Sequence, residues 1–337
     1  MSQTQHVAGR LLALGLLALA AAPAAAAAPQ GGVYLEQNGL LAVQMESAPA
    51  VGWLESTQTG GFTGRNYRVW TGPNLFAQPG VAGVFSFDFH ISNPGTYILY
   101  IRNRHENPDP TEENDVWVKM DNGHWDKVFS NNYTSLPYVG YWTWESRTEA
   151  AGFPQASFWL SAGQHRIWYA ARSFGFKMDR FHLARPGQPN ANDLNVAESV
   201  RVVGTTYGQA TVNSTGLVGQ LEGRGSSYRQ FNNLTLRASN LPANAIGVFL
   251  VSRQQGFTAN PGGSQGNLLL GSNFARYTSV IPVSSMGVAQ MPVNAASIPV
   301  GMGNTASAMP GETWNFQFIH REQGSTNLTR GLAVTFE

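Results

Sequence analysis

Residues 158–183, FWLSAGQHRIWYAARSFGFKMDRFHL, constrain the fold of this chain more than any other stretch. Three short runs rich in apolar and aromatic residues are separated by turns that contain serine and glycine, a pattern typical of antiparallel β-strands. On strict alternation, Asp179 shares a strand face with Phe181 and Leu183 and so points toward a core. A buried carboxylate is unfavourable unless a cation or several hydrogen-bond donors meet it. We therefore expect a partner for Asp179.

The composition supports an all-β protein. The chain has 37 glycines, 18 prolines and only 12% charged residues, which favours many turns over long helices. No long segment of helical periodicity follows the first 28 residues. The length of 337 residues suggests about two domains. The absence of cysteine excludes thiol catalysis and metal sites with cysteine ligands.

The N-terminus has the pattern of a secretory signal peptide over residues 1–28. Arg10 precedes a short apolar run, and an alanine-rich stretch after Pro23 supplies small residues for cleavage. No later segment is long enough to span a bilayer, so we expect an exported protein, extracellular or periplasmic. The alternative is an uncleaved leader that retains the protein at a membrane. Cleavage removes one arginine and no acid, so the net charge falls from +1 to zero, which argues against nucleic acid or anionic lipid as partner.

The first half of the mature chain has a recognisable order of strands. The segments LSAGQHRIWYAARSFGFKMDRFHL, GTYILYIRNR and ENDVWVKMDNG resemble the jelly-roll carbohydrate-binding modules of families 6 and 35, which are galactose-binding-like. The resemblance implies that residues 32–186 form a jelly-roll β-sandwich that binds a polysaccharide or glycan. The predicted strands of this unit cover residues 40–46, 84–91, 96–104, 115–120, 124–129, 158–160, 166–172 and 176–183.

The second half is different in composition. We interpret residues 187–210 as a linker and residues 211–337 as a second β-sandwich, with strands at 234–238, 246–252, 268–270, 314–320 and 331–336. This half resembles a C-terminal β-sandwich module of exported bacterial proteins, a module with no assigned activity. Residues 211–337 contain no Asp or Lys, and their acids and histidine are Glu222, Glu312, Glu322, Glu337 and His320. A carboxylate pair or a histidine-based triad is hard to assemble from these residues, so we expect no catalytic role.

The candidate ligand site combines aromatic and polar residues of the first unit. Residues 138–144 are the densest aromatic patch, and Trp142 and Trp144, two apart, face the same way in an extended strand. The resemblance places Arg102, Arg104, Asn114 and Asp115 near the same rim. The predicted ligand-binding residues are Arg102, Arg104, Asn114, Asp115, Tyr141, Trp142 and Trp144. The alternative is that one or both tryptophans belong to the core.

A structural calcium ion is the one cofactor that the resemblance implies. Glu46 and Asp179 stand where the family-6-like pattern keeps Ca²⁺, and Gln44 stands where an acid is common, which lowers the charge of the ligand set. Two neighbouring carboxylates repel unless a hard cation lies between them. The alternative is a salt bridge from Asp179 to Arg172 or Arg180 with no metal.

Three functions remain open from the sequence. The first is a secreted, non-catalytic carbohydrate-binding protein. The second is a polysaccharide lyase or esterase on the same jelly roll, which needs a His or Tyr base beside Arg and Asn; Arg102, Arg104, His105 and Tyr141 make this conceivable. The third is a structural surface or matrix protein whose aromatic residues are all core.

Overall fold

The computed structural model describes residues 31–109, 112–129, 139–322 and 324–337. The predicted leader, residues 1–28, lies outside them. Within the described residues the regular structure is β-strand with three short 3₁₀ turns, Met45–Ser47, Arg229–Phe231 and Pro261–Gly263. None of the described segments forms a helix of the length and apolarity needed to cross a membrane.

The strands fall in two groups along the chain. Those of the first half are β1 Val33–Leu35, β2 Leu40–Gln44, β3 Trp53–Ser56, β4 Tyr67–Trp70, β5 Phe85–Ile91, β6 Gly95–Arg104, β7 Asp115–Met120, β8 Trp125–Phe129, β9 Thr143–Glu145, β10 Ser157–Leu160, β11 Gly163–Ala170 and β12 Lys177–Ala184. Those of the second half are β13 Arg201–Val203, β14 Thr205–Tyr207, β15 Gln220–Arg224, β16 Thr235–Ser239, β17 Ile246–Ser252, β18 Gln255–Thr258, β19 Leu268–Leu270, β20 Ala275–Arg276, β21 Ile281–Pro282, β22 Ala289–Pro292, β23 Ile298–Gly301, β24 Asn304–Ala306, β25 Thr313–Glu322, β26 Ser325–Leu328 and β27 Gly331–Thr335.

Three large sheets build two sandwiches. The long sheet has the order β22-β16-β15-β13-β1-β5-β11-β7-β8. The first partner sheet has the order β10-β6-β12-β4-β3, with β2 on β12 and β9 on β6. The second partner sheet has the order β14-β27-β25-β17-β20, with β21 on β17 and β26 on β25. One buried apolar cluster lies in the first half of the chain and another in the second, which confirms the predicted all-β architecture of two sandwiches.

Most predicted strands of the described chain are present with shifts of one to three residues at their ends. Strand β7 has the predicted limits and pairs antiparallel with β8. In β7, Val116, Val118 and Met120 are buried in the core whereas Trp117 is half-buried on the other face. In β2 and the turn after it, the alternate residues Leu41, Val43 and Met45 all belong to the core.

Asp179 does not face the core as alternation predicted. The pairing of β12 with β6 shifts register between Met178 and Arg180, which is the signature of a β-bulge. Met178 and Phe181, three residues apart, both belong to the apolar core. The extra residue therefore places Asp179 with Arg180 on the opposite face of the sheet, where both are buried by overlying loops.

The segment predicted as a linker, residues 187–210, contains two strands and packs on the first sandwich. Strand β13 pairs with β1 on one side and with β15 on the other, so hydrogen bonding runs through the long sheet from one half of the chain to the other. The part of this segment before β13 is held by Arg180 of β12. Its guanidinium donates to the carbonyl oxygens of Leu194 and Val196, at 3.2 and 2.8 Å. The segment thus covers part of the first partner sheet; the domain limits themselves stay predictions.

Candidate functional site

The candidate site is built at the end of β6, where three loops meet. We call this region the loop rim and define it as residues 57–66, 105–109 and 139–142. Strand β9 pairs with the end of β6, which places Trp144 directly opposite Arg102. Because both strands belong to a sheet, the residues that they present to the rim have a fixed backbone frame.

Arg102 is the partner that Asp179 requires. Its guanidinium donates from Nη1 to Asp179 Oδ2 and from Nη2 to the carbonyl oxygen of Gly61 at 2.7 Å. Thr63 adds its backbone N–H to Asp179 Oδ1 at 2.8 Å, and its hydroxyl lies 3.0 Å from Oδ2. Burial raises the pKa of Asp179, while the bonds from Arg102 and Thr63 act in the opposite direction. The expected salt bridge is therefore present, but with Arg102 and not with Arg172 or Arg180.

Trp142 links this ion pair to the loop rim. Its indole N–H donates to the carbonyl oxygen of Gly60 at 2.9 Å. The guanidinium of Arg102 lies over its ring, 5.2 Å from the centroid, and Tyr67 packs edge-on at 5.2 Å. Trp142 is thus not part of the apolar core, yet much of its surface is used to hold the loop at Gly60. We conclude that it has a structural role in addition to any contact with a ligand.

The other residues predicted to bind the ligand differ in the exposure of their side chains. Tyr141 is 66% exposed, while Trp144 is half-buried against His182, with ring centroids 4.6 Å apart. Arg104 pairs with Glu106 at 3.0 Å. The structure therefore brings together Arg102, Arg104, Tyr141, Trp142 and Trp144 at one end of the first partner sheet.

Asp115 belongs to a different cluster of charges. Its carboxylate accepts from Arg172 and from the hydroxyl of Ser173, and Lys127 lies 3.2 Å away. Asp115 and Asn114 are both buried. These ties to β8 and to the turn before β12 give Asp115 a structural role, so the prediction that it joins Arg102 in one ligand site is not supported by its contacts.

The predicted metal ligands lie beside the same loop. The backbone N–H of Arg65 donates to Glu46 Oε1 at 2.7 Å, an approach that only glycine at position 64 permits, because a Cβ there would lie 2.0 Å from that oxygen. Gln44 Oε1 lies 3.0 Å from the hydroxyl of Thr63. Glu46 is 2% exposed, and its Oε2 has no hydrogen-bond partner among the residues that the structure describes. Burial raises the pKa of Glu46 to about 7.

Glu46 also lines a cleft of about 340 Å³ that lies against residues of both halves of the chain. Its other charged lining residues are Arg65, Glu198 and Arg201. The guanidinium of Arg65 covers the ring of Phe231 at 4.8 Å, and that of Arg201 covers Tyr34 at 5.0 Å. Each arginine is therefore held by packing as well as by charge.

These contacts fit a calcium ion poorly. The described residues contain no group of three or more His, Cys, Asp or Glu side chains arranged to hold a metal. Asp179 already accepts from Arg102 and Thr63, and the carbonyl oxygen of Gly61 is occupied by the same guanidinium. A hard cation needs oxygen ligands free to coordinate it. The geometry favours the alternative in which an arginine supplies the positive charge, and a bound Ca²⁺ stays a prediction to be tested.

Removal of calcium is expected to leave the thermal midpoint unchanged. A ligand that binds only the native state stabilises it by RT ln(1 + [L]/Kd), so an occupied Ca²⁺ site would make the midpoint fall in EGTA. Differential scanning calorimetry in EGTA and in millimolar CaCl₂ makes the comparison. A midpoint that rises with CaCl₂ and loses this response in Glu46→Gln would restore calcium at this position.

Sequence reasoning missed two contributors to the rim. Lys177 lies 3.4 Å from Glu106 and links the start of β12 to the loop after β6. Tyr67 supports Trp142 and accepts from the backbone N–H of Thr59 at 3.2 Å. The glycine and aromatic residues of 60–70, GGFTGRNYRVW, were the available signal, since such loops serve close backbone approach. His105, a candidate base if the protein were a lyase or esterase, is completely buried and so is not accessible to a substrate.

Comparison with known proteins gives only distant likenesses. No family model matches the sequence, and no curated protein matches it either. A GH26-CBM35 β-(1,4)-mannanase of Podospora anserina is 20% identical over 48% of this chain and 32% of its own, with a TM-score of 0.33. A cycloisomaltooligosaccharide glucanotransferase of Paenibacillus sp., in complex with cycloisomaltoheptaose, is 12% identical over 78% of this chain and 47% of its own, with a TM-score of 0.30.

A third solved structure is more distant still. A β-1,2-glucanase from Parabacteroides distasonis is 9% identical over 92% of this chain and 38% of its own, with a TM-score of 0.20. The chain thus spans less than half the length of each of these three proteins. TM-scores and identities this low do not establish a shared fold or activity.

Proposed function

We propose that this is a secreted, non-catalytic protein that binds a polysaccharide or glycan at the loop rim of its first sandwich. The observation that carries the proposal is the exposed ring of Tyr141 in a loop that is tied to the end of β6, because the N–H of Gly140 donates to the carbonyl oxygen of His105 at 2.9 Å. An added Cβ on Gly140, the residue before Tyr141, would lie 4.0 Å from Arg104 Nη2. The sequence resemblance to carbohydrate-binding modules of families 6 and 35 supports the same reading.

The chemistry of the rim suits a sugar. Sugar rings present flat patches of C–H that lie on aromatic faces, while their hydroxyl groups need charged or amide partners in fixed directions. Tyr141 offers the aromatic face, and Arg104, Glu106 and Lys177 offer donors and acceptors that already orient one another. A few well-placed polar groups around an apolar surface are the usual composition of a small-ligand site.

The second sandwich serves attachment or spacing in this proposal. Its few acids are used in structural contacts: Glu312 pairs with Arg253 at 2.7 Å, and Glu222 lies between Arg224 and Arg237 at 2.7 and 3.1 Å. Both carboxylates therefore already have arginine partners. The predicted leader supports export of the whole chain.

Tyr141→Ala is expected to weaken sugar binding by about 1–3 kcal/mol, by analogy with truncated aromatic hot spots, and to leave the fold intact because the ring is exposed. Trp142→Ala should weaken binding and also lower stability, since its ring and N–H hold Arg102 and Gly60. A glycan array identifies the ligand, and isothermal titration calorimetry measures each variant.

Phe257→Ala is the matched control, because Phe257 is 69% exposed and lies in the second half of the chain. It should bind like the parent. If Tyr141→Ala binds the sugar as tightly as the parent does, the proposal that the binding site lies at the loop rim is wrong. Release of reducing sugar from the bound glycan, abolished in Tyr141→Phe, would instead establish the enzyme alternative.

A further inference from the structure

The apolar core of the second sandwich ends in a buried histidine and a buried carboxylate. Trp314, Phe316 and Phe318 of β25 belong to this core, so alternation places His320 and Glu322 on the same face of the strand. The side chain of His320 is 1% exposed and that of Glu322 is 4% exposed. Both are therefore removed from water at the end of β25.

Neither side chain is satisfied by hydrogen bonds. Among the residues that the structure describes, both ring nitrogens of His320 and Oε1 of Glu322 have no hydrogen-bond partner. Nδ1 of His320 lies 3.7 Å from Oε1 of Glu322, which is too long for a hydrogen bond. Burial lowers the pKa of His320 to about 4, so the ring is neutral near pH 7 and forms no ion pair with the carboxylate. Such orphaned atoms are rare in folded proteins and call for an explanation.

The turn above Glu322 orients its carboxylate toward the ring. The backbone N–H of Ser214 donates to Oε2 at 3.2 Å, which leaves Oε1 on the side of His320. The turn is closed by the N–H of Gly216, which donates to the carbonyl oxygen of Asn213 at 2.9 Å. Ser214 and Gly216 are exposed, so the pair lies directly beneath the surface of the molecule.

We propose that His320 Nδ1 and Glu322 Oε1 bind a divalent transition-metal ion, with Zn²⁺ as the best match. Imidazole nitrogen and carboxylate oxygen are both zinc ligands, and two of them in tetrahedral coordination lie about 3.4 Å apart. The observed separation of 3.7 Å is close to that value. A neutral imidazole and an ionised carboxylate are also the protonation states that metal binding requires. The site is independent of sugar binding at the loop rim.

The protein supplies two ligands, and water completes the coordination. Asn327 of β26 lies opposite His320 and is fully buried, but its Oδ1 accepts from the N–H of Leu328 at 2.8 Å and its amide donates to the carbonyl oxygen of Val212 at 3.2 Å. On the other side, the residue opposite His320 is Gly247, which has no side chain. A two-residue site binds zinc less tightly than a closed four-ligand site, so we expect EDTA to remove the metal.

Zinc titration of the full chain, prepared without a histidine tag and dialysed against EDTA, tests the site. Isothermal titration calorimetry with ZnCl₂ is expected to show saturable binding that His320→Gln and Glu322→Gln each lose. His124→Gln is the matched control, because His124 forms a pair of the same spacing with Asp126, at 3.0 Å, and its side chain is 85% exposed. This variant should retain the binding seen in the parent.

A crystal soaked in ZnCl₂ gives a second measurement that does not depend on the folding of the variants. The anomalous difference map at the zinc edge should show a peak between Nδ1 of His320 and Oε1 of Glu322. The proposal is overturned if the parent shows no saturable binding, if both variants retain it, or if the peak lies only elsewhere. Density at this position without an anomalous signal would identify a bridging water and would overturn it as well.

The same variants separate zinc from calcium in the thermal experiment, because EGTA removes both ions. A midpoint that falls in EGTA for the parent and for Glu46→Gln, but not for His320→Gln, would come from zinc at the end of β25. A fall that His320→Gln keeps and Glu46→Gln loses would come from calcium.

Discussion

Arg102→Met is expected to lower the free energy of unfolding by about 3–5 kcal/mol, the usual effect of removing one partner from a buried ion pair. Arg102 and Asp179 are both buried, so the substitution leaves a carboxylate without its charged partner in a place that water reaches poorly. The same guanidinium holds Gly61 and packs on Trp142. Urea denaturation followed by tryptophan fluorescence measures the change.

Arg104→Met is the matched control for this variant. Arg104 lies two residues further along the same strand, is partly exposed and pairs with Glu106, so its loss should change stability by about 1 kcal/mol or less. Adding Asp179→Leu to Arg102→Met should recover part of the lost stability, because the unpaired charge is gone. Equal losses from Arg102→Met and Arg104→Met would show that the pair with Asp179 is not a source of stability.

The second large effect is a dependence of stability on pH that originates at Glu46. Burial raises the pKa of Glu46 from 4.5 to about 7, so the folded protein keeps a proton that the unfolded chain releases between these values. Stability attributable to Glu46 is therefore highest below about pH 4.5, falls as pH rises toward 7, and stays low above it. The difference corresponds to about 3 kcal/mol.

Glu46→Gln tests this origin, since glutamine keeps the carbonyl oxygen that accepts from Arg65 and carries no charge. The variant should be more stable than the parent at pH 8 and nearly equal to it at pH 4.5. His182 and His320, whose pKa values burial lowers to about 4, destabilise both proteins alike in acid, so they cancel in the comparison. Parallel stability curves for the two proteins across this range would contradict the assignment.

The strands were predictable from sequence because the signal is local. Short apolar runs between turn residues predict strands at 115–120 and 124–129, which the structure forms as β7 and β8. The orientation of Asp179 was not predictable in the same way. A bulge adds one residue to a strand without changing its composition, so alternation counted through it assigns the wrong face.

The ion-pair partners of the charged residues could not be predicted from the sequence for a related reason. Asp179 and Arg102 are 77 positions apart, and Asp115 and Arg172 are 57 apart. Which arginine meets which carboxylate depends on strand order and register, which composition does not encode. The requirement that a buried carboxylate find a cation was nevertheless sufficient to predict that Asp179 has such a partner.

Strand β1 lies between β5 and β13 in the long sheet. This position limits where the chain can be cut to obtain the first sandwich as a separate fragment. A fragment that stops after β12 would expose the backbone donors and acceptors of Val33–Leu35 that now pair with β13. Such a bare strand edge recruits other chains and promotes aggregation. Extending the fragment through β13 moves the open edge to the side that faces β15. A fusion partner for the first sandwich is therefore best joined to the intact chain, with both sandwiches retained as one transplantable unit.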